Sequence, residues 1–516
     1  MGSTCAFTLS LHSLWSLPVL IIQHGGVTFL LIYIVTVAIL GAPLLLLEMS
    51  LGQYSSIAPA QLPYHLCPLL AGLGVAVCVQ AAVRALLDMA VVMWAGQALY
   101  RLLADRHIKD GFFYRDILHR EDSSLEELGQ LLGELCLVLA VSCVVIFILI
   151  AAGTRSVGKV CLVAVPACFM LLVTLTIRTC LATGGPGGVM ILLTPDWAVL
   201  TQPVVWLEAA GQVIFSLQLG LGAVSAFSAY NPYQHNIVRD CAIITISHLL
   251  WVILAILLSF SLLGVAHNTA AINLINLVSD PALVSITGHG VWLATITLIE
   301  TAMATISTGW LWATLFFVLI VLVSITSVFG YLEVITSSLV NRRPAIIPFK
   351  PALTFGVVVL LFLLDLVLAT QGGIHVYHLL FTYLSSWPPL LFSLLLVLAT
   401  VLCHGAGYLM KDISYMSKIN LPHWATSHLS VIYITVLPVF LTVSVNIQLR
   451  TMLSTIIVGI SVLVSVFSNS GTSGGTTFHI QHDYPTLLER TISLVSCHTT
   501  SSSCHSGCCH VSIVWA

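Results

Sequence analysis

Apolar stretches of about 20 residues recur along the chain, separated by short polar breaks. That is the length an α-helix needs to cross the hydrocarbon core of a bilayer. Twelve stretches can be drawn, at roughly 5–22, 27–48, 70–100, 131–153, 158–178, 205–230, 241–266, 308–338, 349–371, 378–404, 425–448 and 451–468. Continuous runs of this length predict an all-α integral membrane protein with about 12 transmembrane helices. Two runs break the pattern. "LHSLWSLPVLIIQHGG" (11–26) carries His12, Ser13, Ser16 and Pro18 inside the first span, and "SLQLGLGAVSAFSAYN" (216–231) places Gly220 and Gly222 in the middle of the sixth. Glycine disfavours a continuous helix and proline removes a backbone donor. Broken helices at membrane depth are tolerated where they are buried in protein or line a cavity. Interruptions in the first and sixth spans predict two inverted five-helix repeats, about 5–178 and 205–404, plus two extra helices over about 425–468. Two ordinary kinked helices are the alternative.

Composition agrees with this class. The chain has 516 residues, 58% of them hydrophobic and 7% charged, more apolar surface than a soluble fold can hide. A net charge of −3 gives no nucleic-acid signal, so the expected partners are the lipid bilayer and a small-molecule solute; oligomeric state is not legible. Residues 101–130 hold 5 of the 17 Lys and Arg and 7 of the 20 Asp and Glu, and read as a solvated loop. Loops after spans 4, 6, 8 and 10 carry Arg155, Lys159, Arg239, Arg342, Arg343, Lys350, Lys411 and Lys418. The opposite side carries Arg178, Arg450 and the five basic residues of the mixed-charge loop. This asymmetry predicts cytoplasmic termini; the plasma membrane is the expected location. With no basic N-terminal region, a cleaved signal peptide is not expected. The fourteen cysteines are scattered, and those in spans read as small buried hydrophobes. The segment 469–516 reads as a disordered cytoplasmic tail. Its "SCHTTSSSCHSGCCH" (496–510) has no recognised metal-ligand spacing, and palmitoylation is a second reading.

Longer motifs give the pattern a family. In order they are "GAPLLLLEMSLGQYSS" (41–56), "GFFYRDILH" (111–119), "GTRSVGKV" (153–160), "TPDWAVL" (194–200), "VWLEAAGQVIFSLQLGLGAVSAFSAYN" (205–231), "RD" (239–240), "LFFVLIVLVSITSVFGYLEVITSSLV" (315–340) and "TQGG" (370–373). Together they resemble the neurotransmitter:sodium symporter family (solute carrier 6), over about residues 6 to 468. The resemblance implies a twelve-helix inverted repeat and uptake of a small organic solute, amino-acid-like or osmolyte-like, coupled to sodium and usually to chloride. It also implies a second sodium site from the carbonyls of Ala6, Leu9 and Val323 with the hydroxyls of Thr326 and Ser327. Sodium is a hard ion that takes oxygen ligands; hydroxyls bonded back to their own helix are the bland reading. At the first sodium site the matching groups are the Thr8 carbonyl, Ser13, Ser216 and His248. The histidine, a poor sodium ligand, leaves three readings open: a lost site, proton coupling, or a packed hydrogen-bonded imidazole. The family's chloride ring is matched at Tyr54, Gln212 and Ser216 and departed from at His248 and Val252, so chloride is a weaker cofactor candidate than sodium.

The matching substrate-pocket residues are Ser10, Leu87, Phe215, Gln218, Gly220 and Gly222. Ser10 stands where monoamine carriers have an aspartate and Leu87 where a tyrosine meets the substrate carboxylate, which disfavours a monoamine. Gate positions are altered: Ser16 and Phe381 replace an outer ion pair, and Asn341 replaces the inner acid, whose arginine partner would precede this chain. Residues 101–130 contain no cysteine for the family's outer-loop disulfide. New intramembrane charges stand at Arg84, Asp88 and Asp365. Arg84 and Asp88 lie four apart on one helical face, either paired with each other or binding substrate. No nucleophile–base pair, phosphate loop or metal cluster suggests an enzyme. A sodium-coupled transporter is the first expectation; a non-transporting relative acting as receptor, scaffold or trafficking partner is the second.

Overall fold

A computed structural model describes residues 1–107, 112–118, 129–151, 153–270, 302–303, 306, 308–419 and 422–449, all within one structural unit, Met1–Leu453. The twelfth expected span (451–468), the 469–516 tail with its Cys/His cluster, and Arg450 lie outside the described residues. The described chain is helical and multi-pass. The first span is α1 (Gly2–Thr8) and α2 (His12–Gln23). There follow α3 (Val27–Ser55), α4 (Ala71–Asp105), α5 (Gly133–Ala151) and α6 (Thr154–Cys180). The sixth span is α7 (Pro203–Ser216) and α8 (Ala223–Ser228). The rest are α9 (Ile237–Ala270), α10 (Gly309–Arg342), α11 (Lys350–Asp365), α12 (Gly373–His404) and α13 (His423–Leu449). Ten stretches among the described residues are long and apolar enough to cross a membrane; the sixth span is not among them, its two helices being separated by residues 217–222. Eleven of the twelve expected spans thus have helical counterparts.

The helices sort by what they bury. On α5, α6 and α11, large apolar side chains such as Leu137, Ile148, Leu162, Met170 and Leu363 are exposed, as suits a surface solvated by lipid. On α4, α9 and α10 the buried set is rich in polar groups: Gln80, Arg84, Gln97, His248, Ser259, Ser324, Thr326, Ser327 and Glu333. Polar side chains in a bilayer protein face the interior, where they find partners. The short helices α1, α2 and α8 contact this polar-lined set: α1 packs on α6, α8, α9 and α10, α2 on α9 and α8 on α10, while α7 packs on α2, α3 and α12.

Three expectations need correction. The interruption of span 1 is not at the His12–Pro18 run but at residues 9–11; Pro18 sits buried inside a continuous α2. Leu9 ends α1 with ψ near 80°, and a proline one turn and more into α2 is accommodated by the surrounding helices. The segment 101–130 is not wholly a loop. Arg101–Asp105 is the end of α4, where Arg101 pairs with Glu134 at 2.6 Å, and Phe112, Phe113, Ile117 and Leu118 are buried. Finally, Arg84 and Asp88 interact electrostatically but do not meet at ion-pair distance.

Candidate functional site

The breaks in spans 1 and 6 are stabilised by different chemistry. Around residues 6–14 the backbone carbonyls are met by side chains of other helices. His248 Nδ1 donates to the Thr8 carbonyl at 3.0 Å, Trp251 Nε1 to Ser10 O at 3.4 Å, and Ser259 Oγ to Leu14 O at 3.2 Å, all from α9. Thr326 of α10 reaches Ala6 O at 3.4 Å. In span 6 the break is built from the backbone itself. Gln218, Gly220 and Gly222 have φ of 55°, 77° and 76°. At Gly220 a Cβ would lie 2.3 Å from the Pro389 carbonyl oxygen, so both conformation and close approach demand glycine. The freed Gly220 N–H donates to Glu48 Oε1 of α3 at 2.6 Å.

The sequence-predicted second sodium set partly converges. The Thr326 hydroxyl bonds back to its own helix at Val323 O (2.8 Å), the bland arrangement, and also lies 3.4 Å from Ala6 O of α1. Ser327, its neighbour, accepts from Gln218 Nε2 at 3.1 Å, and Tyr331 OH donates to Gln218 Oε1 at 2.8 Å. A hydroxyl has one proton and two lone pairs. Thr326 uses its proton on a carbonyl and Ser327 accepts one bond, so hydroxyl lone pairs remain among carbonyl oxygens. This is an oxygen cluster suited to a hard cation.

The first sodium set converges on an imidazole. His248, fully buried, bridges Thr8 O through Nδ1 and Tyr33 OH through Nε2, each at 3.0 Å; Tyr33 OH also contacts Ser216 Oγ. A carbonyl can only accept, so Nδ1 carries the proton. In the neutral ring Nε2 then accepts from Tyr33, and the Ser216 proton is shared between the Tyr33 oxygen and the Val213 carbonyl of its own helix. Ser13 is apart from this chain, 3.5 Å from Ser10 Oγ. The donors that an anion would need on Tyr33, Ser216 and His248 are engaged with one another. Tyr54, expected in the chloride ring, is instead 48% exposed at the end of α3, its ring near Tyr233 and His404. The tyrosine that meets Ser216 is Tyr33, on the same helix but about six turns nearer its start. Gln212, also expected in the ring, accepts from Ser16 Oγ at 3.1 Å while its Nε2 has no partner.

Of the pocket and gate residues, Phe215, Ser16 and Phe381 line a cavity of about 290 Å³, with His12, Arg84, Glu208 and Gln212. Ser10, Leu87, Gln218, Gly220 and Gly222 do not. Leu87 is buried in the core and does not line that cavity. Gly220 and Gly222 line a separate cavity of about 30 Å³ with Glu48. At the outer cavity His12 stacks between Phe215 (6.3 Å) and Phe381 (5.5 Å), and Phe381 lies parallel to Tyr377 (6.2 Å, 11°). Arg84 donates to His12 Nε2 at 3.2 Å and to Ser385 O at 3.1 Å. His24, just past α2, pairs with Glu208 of α7. At the other end Asn341 is exposed and donates to Gln61 Oε1 at 3.3 Å. Nearby, Glu333 accepts from Lys350 Nζ at 2.8 Å and Tyr230 OH at 2.6 Å. Asp365 is buried with both carboxyl oxygens unpartnered among the described residues.

Sequence reasoning missed Glu48, Tyr33, Trp251 and the His24–Glu208 pair. Glu48 left a signal, a single acid inside an apolar run; Tyr33 left none that distinguished it from Tyr54.

Comparison with known proteins gives the family. The model of the Sodium:neurotransmitter symporter family matches residues 3–107 and 103–457. Sodium- and chloride-dependent creatine transporter 1 of Mus musculus is 28% identical, over 80% of this chain and 70% of its own length. The proteins of that name from Homo sapiens (28%) and Bos taurus (27%) align over the same shares. The chain belongs to the sodium:neurotransmitter symporter family.

Proposed function

We propose that this chain is a secondary active symporter, which carries a small organic solute across the plasma membrane on the sodium gradient by alternating access. Spans 1–5 and 6–10 act as two repeats, and both termini and the 469–516 tail lie in the cytoplasm. The observation that supports it best is the oxygen cluster where α1 meets α10: the carbonyls of Ala6 and Val323 and the hydroxyl of Thr326. One sodium binds there, with Ser327 completing the set. Because each ligand belongs to α1 or α10, sodium holds the first half of span 1 against α10 and biases which side of the protein is open.

The first sodium site is replaced rather than retained. The His248 imidazole occupies the hydrogen-bonding groups that a second sodium and a chloride would share, so transport is independent of chloride and couples to one sodium. The relatives are named for creatine, sodium and chloride. For this chain a creatine-like solute is one candidate and chloride is not.

The test is uptake into proteoliposomes of a broad panel of labelled solutes, with sodium replaced by choline and, separately, chloride replaced by gluconate. Thr326→Ala is expected to abolish sodium stimulation and Thr326→Ser to retain it, with no response to chloride. Uptake insensitive to sodium would overturn the ion assignment. No uptake from well-folded protein across the panel would favour a receptor or trafficking role.

A further inference from the structure

Arg84 is a cation without a counter-ion in its cavity. Its side chain is 4% exposed and lines the 290 Å³ space between α2, α4, α7 and α12. A guanidinium has five N–H donors and no acceptor. Here Nη1 gives one to His12 Nε2 and Nη2 gives one to Ser385 O, while Nε has no partner. Both acceptors are uncharged: an imidazole nitrogen that accepts from a guanidinium carries its lone pair, so His12 is neutral. Asp88, one turn along α4, feels the Arg84 charge but does not meet it at ion-pair distance. Glu208, the acid that also lines the cavity, is paired with His24. Removing a charge from water without a partner is strongly unfavourable, and intramembrane charges are retained at sites where they act.

Three further buried polar atoms of residues lining the same cavity have no hydrogen-bond partner: Glu208 Oε2, which faces His24 in an ion pair, Gln212 Nε2 and Ser444 Oγ. Of these, Gln212 Nε2 and Ser444 Oγ can donate. Three residues with an unused donor, one of them formally charged, thus line one space. Around them the wall is apolar, with Phe215, Phe381, Leu207 and Leu390. Donors at one end and rings along the side make a receptor for an acid with an apolar body.

We propose that this cavity binds the carboxylate of a small organic anion, with Arg84 as the charged ligand, Gln212 and Ser444 as auxiliary donors, and Phe215 and Phe381 against its apolar part. This deepens the transport reading by naming the class of solute: a carboxylate is required, whereas a cation is repelled by Arg84. It takes over, with different chemistry, the carboxylate recognition left vacant by Leu87. The guanidinium already contacts His12 and Ser385, so the solute engages span 1 through His12 and span 10 through Ser385 at once.

The test reads binding in the absence of any gradient, so that it stands apart from transport. The full chain, in lipid nanodiscs at constant sodium chloride, is titrated with three probes of one shape and different charge: 3-phenylpropionate, 3-phenylpropanamide and 3-phenylpropylammonium. Acetate and butyrate extend the carboxylate series. Thermal protection gives each dissociation constant. The carboxylates are expected to protect while the amide and the ammonium do not. Arg84→Gln should weaken carboxylate binding by about 10- to 100-fold, the loss expected for a hydrogen bond to a charged group, and Arg84→Lys should fall between. The proposal is overturned if the amide or ammonium protects as well as the carboxylate, if no carboxylate protects, or if Arg84→Gln binds like the wild type. Should Arg84→Gln fail to fold, the probe series on the wild type and Arg84→Lys decides alone. Carboxylate binding without uptake of any solute would leave the anion site standing and remove the transport reading.

Discussion

Two broken helices meet at the centre of this protein, and they are broken in opposite ways. The span 6 break is intrinsic: Gly220 and Gly222 take backbone conformations that other residues rarely adopt, and Glu48 receives the N–H that the break exposes. The span 1 break is extrinsic. Residues 9–11 contain no glycine or proline, and the carbonyls around them are satisfied by His248, Trp251, Ser259 and Thr326 of neighbouring helices. A break written in its own residues tolerates little change in place. A break held by partners can change what it binds by changing the partner, as His248 does at Thr8.

That contrast gives an ordered set of tests. Gly220→Ala should be the most damaging change, because a Cβ both strains the backbone and overlaps the Pro389 carbonyl. A loss of about 3 kcal/mol or more, seen as collapse of the monodisperse peak on heating in detergent, is expected. If it is tolerated, the intrinsic break is not fixed by glycine. Glu48→Ala leaves the Gly220 N–H buried without an acceptor and should cost about 1–3 kcal/mol in the same assay, with Glu48→Gln recovering much of it. At the extrinsic break, His248→Asn replaces the imidazole with an amide oxygen that can ligate a hard cation. Sodium bound per protein, counted with a radioactive tracer, should rise from one to two; an unchanged count would show that His248 does not occupy an ion site. Tyr33→Phe removes the hydroxyl between His248 and Ser216 and should cost about 1 kcal/mol, whereas Tyr54→Phe should stay within about 0.5 kcal/mol of wild type.

The same contrast explains what could be read from the sequence. Eleven spans were visible because hydrophobic length is a local property, and the sixth span's break because glycine is a local signal. In span 1 the sequence points to the polar run with Pro18, one turn beyond the break, because the cause of the break lies in residues some 240 to 320 positions away. Thr326 and His248 were both placed near their predicted backbone partners, since a family pattern supplies long-range pairings that periodicity does not. Tyr33 and Tyr54 illustrate the limit. Both lie on α3, in similarly apolar surroundings, and only packing distinguishes the tyrosine facing Ser216 from the one near the end of the helix.

The column of rings from Phe215 through His12 and Phe381 to Tyr377 joins the first, sixth and tenth spans. Flat, nearly parallel faces can slide without passing through a bonded intermediate. An outer closure made this way would be a dry bearing rather than a latch. Its tightness would follow contact area and be indifferent to ionic strength, and a single ring trimmed to a smaller side chain would produce a leak, not a lock.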